Sequence, residues 1–134
     1  MRWFNKRKPE DVWDEAIQWP IGDIESAHRI RDICRSAADS AERVSWLTDG
    51  AVATKKSDGH KNNDASERYQ RAAKIAMEIA LKMSDDLLRD SAVREILHLC
   101  LKADDTKTAQ ILFRAIQTAS IRGDVLNQHP ALRP

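Results

Sequence analysis

Residues 23–50, DIESAHRIRDICRSAADSAERVSWLTDG, carry the clearest pattern in the sequence. Small and apolar residues recur there at alternating spacings of three and four, the repeat of one face of an α-helix. These seam residues are Ala27, Ile30, Cys34, Ala37, Ala41 and Val44. Asp23 suits the start of this helix and Gly50 its end. We therefore predict a long helix whose alanine-rich seam admits a close helical neighbour.

Further helices are predicted on both sides of this one. A short amphipathic helix should begin at Pro9 and run to about Gln18, since proline suits the first helical position and the acids after it complement the helix dipole. Later helices should begin near the capping residues Asp64, Asp90 and Asp104. Their predicted core faces contain Tyr69, Ala73, Ala76, Ala80, Met83 and Leu87, then Val93, Ile96, Leu97 and Cys100, then Ala109, Leu112, Phe113, Ile116 and Ala119.

The predicted fold is therefore all-α, a single compact bundle of four to five helices with a short N-terminal helix. The 134 residues have the length of one domain that can bury its own core. Within it we expect a basic N-terminal arm at residues 1–8 and an extended tail at 124–134. Residues 50–63, GAVATKKSDGHKNN, lack helical periodicity and are predicted to be a flexible loop.

The composition limits the possible classes of protein. There are 22 Lys and Arg against 21 Asp and Glu, so no large net charge draws the chain to nucleic acid or an anionic bilayer. No apolar run approaches the roughly 18 residues of a membrane span. The acidic stretch PEDVWDE follows the basic start, where a signal peptide would be apolar. Cys34 and Cys100 lie in no metal or redox motif, so we expect buried free thiols. Because neither a signal peptide nor a membrane span is predicted, we expect a cytoplasmic location.

Two Glu-x-x-His motifs raise the alternative of a di-iron carboxylate bundle. They are Glu25 to His28 on the second helix and Glu95 to His98 on the fourth, and such motifs hold metal in ferritin-like bundles. Projection at about 100° per residue places both pairs away from their core seams, facing water. We therefore predict no metal and no cofactor, and di-iron chemistry is the less favoured reading.

Catalytic motifs are missing from the sequence. It contains no GxSxG elbow, phosphate-binding glycine loop or dinucleotide fingerprint. We therefore predict a protein that is not an enzyme and has no catalytic residues. Several acids precede an arginine by four residues, the favourable order for helical ion pairs on a water-facing surface. These pairs are Glu25 and Arg29, Asp39 and Arg43, Glu67 and Arg71, Asp85 and Arg89, and Asp90 and Arg94.

The first twenty residues contain most of the candidate binding residues, and the start of the long helix contains the others. The leading hypothesis is a small protein–protein interaction module, an adaptor, a regulator or a self-associating subunit, because aromatic side chains contribute strongly at packed interfaces. Its partner-binding residues would be Trp3, Trp13, Ile17 and Trp19. The alternative is a regulator that associates with nucleic acid through basic side chains. That patch would comprise Arg2, Lys6, Arg7, Lys8, Arg29, Arg31 and Arg35.

Overall fold

The computed structural model describes residues 12–14, 16, 17, 19–48 and 56–133. The regular structure in these ranges is helical, which confirms the predicted all-α fold. The five α-helices are α1 (Asp23–Thr48), α2 (Lys56–Leu81), α3 (Asp86–Lys102), α4 (Thr106–Ala115) and α5 (Ala119–Gln128). Two 3₁₀ turns flank them, the first turn at Val12–Asp14 and the last turn at Pro130–Leu132.

α1 packs against both α2 and α3 along its predicted seam. Ile30, Cys34, Ala37 and Ala41 are buried, while Ala27 and Val44 are partly buried against the same cluster. The facing helix α2 is also rich in buried alanine, at Ala72, Ala76 and Ala80. Because an alanine side chain ends at Cβ, the two backbones can approach closely along this contact. The seam of α1 is therefore confirmed.

α3 is the central helix, and it packs against α1, α2, α4 and α5. Ile96, Leu97 and Cys100 are fully buried on it, as the sequence predicts. The helix starts earlier than predicted, because Asp85 and not Asp90 is its N-cap. Asp85 accepts a hydrogen bond from the N–H of Leu88 at 2.8 Å.

Asp90 lies one turn inside α3, where its side chain has no exposed surface. Its Oδ2 accepts hydrogen bonds from the Thr118 hydroxyl at 2.6 Å, the Thr118 N–H at 2.8 Å and the Gln117 N–H at 3.0 Å. Burial alone would raise the pKa of Asp90, but these bonds, with Arg89 nearby, hold it below its ordinary value. The carboxylate therefore ties α3 to the connection between α4 and α5.

This tie explains why the predicted fifth helix is wrong as a single element. α4 ends at Ala115 and α5 begins at Ala119, because the N–H groups of Gln117 and Thr118 bind Asp90 instead of continuing the helix. The extended tail predicted at 124–134 is wrong too for residues 124–132, while 134 lies outside the described residues. Residues 124–128 belong to α5 and 130–132 form the last turn. The buried side chains of Val125 and Leu132 hold this segment on the bundle.

Two further boundaries differ from the prediction. α2 begins at Lys56, so the loop predicted at 50–63 is wrong for residues 56–63, while 50–55 lie outside the described residues. The short first helix is a 3₁₀ turn at Val12–Asp14, and 16 and 17 are not helical. Residues 9–11, 15 and 18 of that predicted helix lie outside the described part of the chain.

The start of α1 is fastened to the turn between α2 and α3. Asp23 accepts hydrogen bonds from the N–H of Ser84 at 3.0 Å and from that of Asp85 at 2.7 Å. One end of the bundle therefore brings together the beginning of α1, the end of α2 and the beginning of α3. In the described residues, none of the helices has the length and apolar character to cross a membrane.

Candidate functional site

Trp13 is an internal packing residue rather than a surface residue. Its side chain is 2% exposed, and the Arg68 guanidinium lies 5.0 Å from the ring centroid. Arg68 in turn donates from Nε to the Ser40 hydroxyl at 3.0 Å. A second contact holds the 3₁₀ turn Val12–Asp14 against α2, because Arg71 Nη1 lies 3.4 Å from Asp14 Oδ2. Burial leaves almost no Trp13 surface for a partner in this fold, so it argues against the partner-binding role predicted for this residue.

The other predicted partner-binding residues differ from one another in exposure. Ile17 is partly buried against the core cluster. Trp19 is 40% exposed, and the Lys82 ammonium lies 4.2 Å from the centroid of its ring. Trp3 lies outside the described residues. Of the four, Trp19 alone is a described side chain with a large exposed apolar face.

Three further exposed apolar side chains lie at the same end of the bundle as Trp19. Ile24 is 67% exposed beside Asp23, Leu81 is 72% exposed at the end of α2, and Leu87 is 56% exposed in the first turn of α3. The hydrogen bonds of Asp23 bring these three chain segments together. We call the group formed by Trp19, Ile24, Leu81 and Leu87 the end surface.

The sequence contained a partial signal for these residues. Ile24 and Leu81 fall off the core faces of α1 and α2 when the helices are projected, so each is apolar where water is expected. Leu87 was assigned to the core face of a longer third helix. That assignment is wrong, because α2 ends at Leu81 and Leu87 belongs to α3.

The remaining exposed large apolar residues in the described part of the chain lie elsewhere. Trp46 is 57% exposed near the far end of α1, roughly 33 Å along the helix from Ile24 at 1.5 Å per residue. Ile33 on the same helix is, by contrast, buried. Ile111, on α4, is 56% exposed. Both residues serve below as matched controls.

The predicted basic patch is described only on α1. Arg29 approaches Glu25 at 3.4 Å, which confirms that predicted ion pair. Arg31 and Arg35 are exposed on the same helix. The basic residues of the arm, Arg2, Lys6, Arg7 and Lys8, lie outside the described residues. The nucleic-acid alternative stays a prediction.

Two other predicted ion pairs are replaced by different contacts, one between two helices and one within α3. Arg94 reaches Asp124 on α5 at 4.0 Å, because its predicted partner Asp90 is buried on Thr118. Arg89 lies 3.1 Å from Asp86. Sequence spacing describes one helix at a time, so it misses partners that tertiary packing supplies.

The Glu-x-x-His motifs have different environments. Glu25 and His28 are exposed on α1, as predicted. Glu95 and His98 on α3 are partly buried, so the prediction that they face water is wrong. Among the described residues, no group of three or more His, Cys, Asp or Glu side chains is arranged to hold a metal ion.

The two cysteines are free and buried, as predicted. Burial, with Glu95 and Cys100 nearby, raises the pKa of Cys34 to about 12. Burial likewise raises the pKa of Cys100 to about 11. Both side chains therefore remain protonated near neutral pH, and a protonated thiol is a poor nucleophile and a poor metal ligand.

A buried phenol lies beside Cys100. The Tyr69 hydroxyl donates to Asp105 Oδ2 at 2.7 Å, and burial and this hydrogen bond raise its pKa. Burial alone would raise the pKa of Asp105, but hydrogen bonds from Tyr69 and Thr108 lower it. Asp105 is also the N-cap of α4. The pair thus fixes the α3–α4 connection against α2.

An open cleft of about 400 Å³ lies between the later part of α1 and the middle of α2. Asp39, Arg43, Asp64 and Arg68 line it together with the buried Ser40 and Ala65. The Ser40 hydroxyl is bonded to Arg68, a cation that cannot accept its proton. This arrangement suits the pairing of charges rather than the activation of a nucleophile.

Comparisons with known proteins identify no relatives. No family model, curated protein or solved structure matches the chain.

Proposed function

We propose that this chain is a small non-catalytic helical module that acts by protein–protein association through the end surface. The first partner to test is a second copy of the chain. The observation that carries the proposal is the placement of the exposed large apolar side chains. Of the six in the described residues, four lie at one end of the bundle.

Association would remove these side chains from water. Apolar surface contributes about 25 cal/mol for each Å² that is buried, and isolated exposed residues of this kind are common on monomers. A group of four at one end is less easily attributed to chance, and such groups mark interaction sites. Trp19 is the largest of the four side chains, and tryptophan is among the residue types that contribute most binding energy at interfaces. The ammonium group of Lys82 lies near its ring.

A non-catalytic role is supported by the chemistry of the reactive side chains. The thiols are held protonated by burial, and the Ser40 hydroxyl is bonded to a cation. Two free thiols also favour a reducing compartment, and this supports our proposal of a cytoplasmic location.

A charge-balanced double variant tests the end surface. Ile24→Glu with Leu81→Lys adds one acid and one base, so the net charge stays at +1 while two exposed apolar side chains are lost. We expect the mass of the wild-type protein, measured by light scattering, to rise with concentration towards that of a dimer. The double variant should remain a monomer with an unchanged helical circular dichroism spectrum.

The matched control is Trp46→Glu with Ile111→Lys. It removes two side chains of similar exposure from sites outside the end surface, also without changing net charge. We expect this control to self-associate as the wild type does. Equal loss of association in both double variants would point to general hydrophobicity. A wild-type protein that stays monomeric to millimolar concentration would contradict self-association.

A further inference from the structure

α5 and the last turn form a C-terminal segment, residues 119–132, that packs on α3 and α4. Its buried anchors are Ile121, Val125 and Leu132. Arg122 adds a hydrogen bond to the Ile116 carbonyl at 2.9 Å. Because this segment is short and lies at one side of the bundle, small changes in its few contacts can shift its docking equilibrium.

Two histidines meet where this segment rests on α3. His98 belongs to α3, and His129 follows the last residue of α5. Their ring centroids are 5.4 Å apart with the planes tilted by 59°. His98 Nε2 is buried and has no hydrogen-bond partner. A protonated imidazole carries a hydrogen on both ring nitrogens, so the charged form of His98 would have a buried Nε2–H without an acceptor in the docked state.

The surrounding charges mostly oppose such a proton. Burial, His129 and Arg94 lower the pKa of His98, while Glu95 and the Gln128 side chain act in the opposite direction with smaller effect. Lys102 lines an open cleft of about 380 Å³ together with the two histidines, and Glu42 of α1 lies 3.8 Å from its Nζ. On the segment itself, Asp124 is 4.0 Å from Arg94. These charges leave the neutral imidazole as the favoured form in the docked state.

We propose that the contact between His98 and His129 is an acid-sensitive latch that holds the C-terminal segment on α3 at neutral pH and releases it in mild acid. When the C-terminal segment is released, the His98 side chain becomes exposed to water, where it can bind a proton, and His98 is separated from His129. It also uncovers the apolar side chains beneath the segment. The latch is independent of the end surface, which lies at the start of α1 and α3.

The direction of the pH dependence follows from the lowered pKa of His98. The released state takes up a proton near the ordinary histidine pKa of about 6.5, whereas the docked state does so only at lower pH. Docking is therefore fully favourable above about pH 6.5. It weakens as the pH falls from there through the lower pKa of the docked state.

Hydrogen exchange of the full chain, followed by mass spectrometry between pH 7.5 and pH 5 and corrected for the intrinsic exchange rate, measures this release. We expect protection of peptides from α5 to fall several-fold across this range, while peptides from α1 and α3 keep theirs. His98→Gln should make α5 protection independent of pH. His28→Gln, the same change at an exposed histidine of α1, should behave as the wild type.

His129→Gln provides a second variant in case His98→Gln fails to fold, and it should weaken the pH dependence. Three results would overturn the latch. One is wild-type α5 protection that does not change with pH, and another is pH dependence that persists in His98→Gln or is undiminished in His129→Gln. The third is parallel loss of protection in all helices, which would indicate global unfolding.

Discussion

Replacing Asp90 with alanine should lower the free energy of unfolding by about 3 kcal/mol, because it removes a buried carboxylate that accepts three hydrogen bonds. The N–H groups of Gln117 and Thr118 and the Thr118 hydroxyl would lose their acceptor together. Asp90→Asn keeps the shape and one acceptor oxygen, so we expect roughly half of that loss. Urea denaturation followed by circular dichroism measures both values.

Asp86→Ala is the control for Asp90. It removes an acid four residues earlier on α3 whose side chain is 76% exposed, so the expected change is within about 0.5 kcal/mol. A similar effect at both positions would show that helix charge, and not the buried hydrogen bonds, determines stability. Because the pKa of Asp90 is lowered in the fold, its contribution is present above the ordinary value of about 3.8 and is lost as the pH falls below it.

Trp13→Ala should destabilise the chain by about 3–5 kcal/mol, the usual cost of removing a fully buried aromatic side chain. It also removes the ring beneath Arg68. Trp13→Phe should cost much less, since it keeps an aromatic ring and removes an indole N–H that is buried without a hydrogen-bond partner. Thermal and urea denaturation provide the comparison.

Trp46→Ala is the matched control for Trp13. Trp46 is 57% exposed, so the same substitution there should change stability by less than about 0.5 kcal/mol. If the two alanine variants unfold at the same urea concentration, the buried Trp13 side chain does not contribute to stability in the way its burial predicts. This pair also separates stability from binding, because a loss of association in Trp13→Ala alone would reflect unfolding.

The fold class could be predicted from the sequence because helical periodicity is local. Ile30, Ala37 and Ala41 repeat along one face, and burial of that face needs no knowledge of the partner helix. Helix boundaries were less predictable. Two acids near the start of α3, Asp85 and Asp90, both resemble N-caps, and only packing shows that one caps while the other is buried.

The candidate site was only partly predictable for the same reason. Trp13 and Trp19 belong to one amphipathic stretch of sequence, yet one is buried under Arg68 and the other lies beside Lys82 at the surface. The end surface also joins residues about 60 positions apart, which no local pattern relates. The contact between His98 and His129 could not be predicted either, because the residues before His129 were expected to form an extended tail and instead form α5, which packs on α3.

The hydrogen bonds of Asp23 can form only late in synthesis of the chain. Their donors, Ser84 and Asp85, come 61 and 62 residues later in the chain. At about 5–20 residues per second, the ribosome adds these donors roughly 3–12 s after Asp23. During that interval the alanine-rich face of α1 lacks its partner α3, so the nascent chain exposes a helix-sized apolar stripe that a chaperone could cover until the turn at Ser84 emerges.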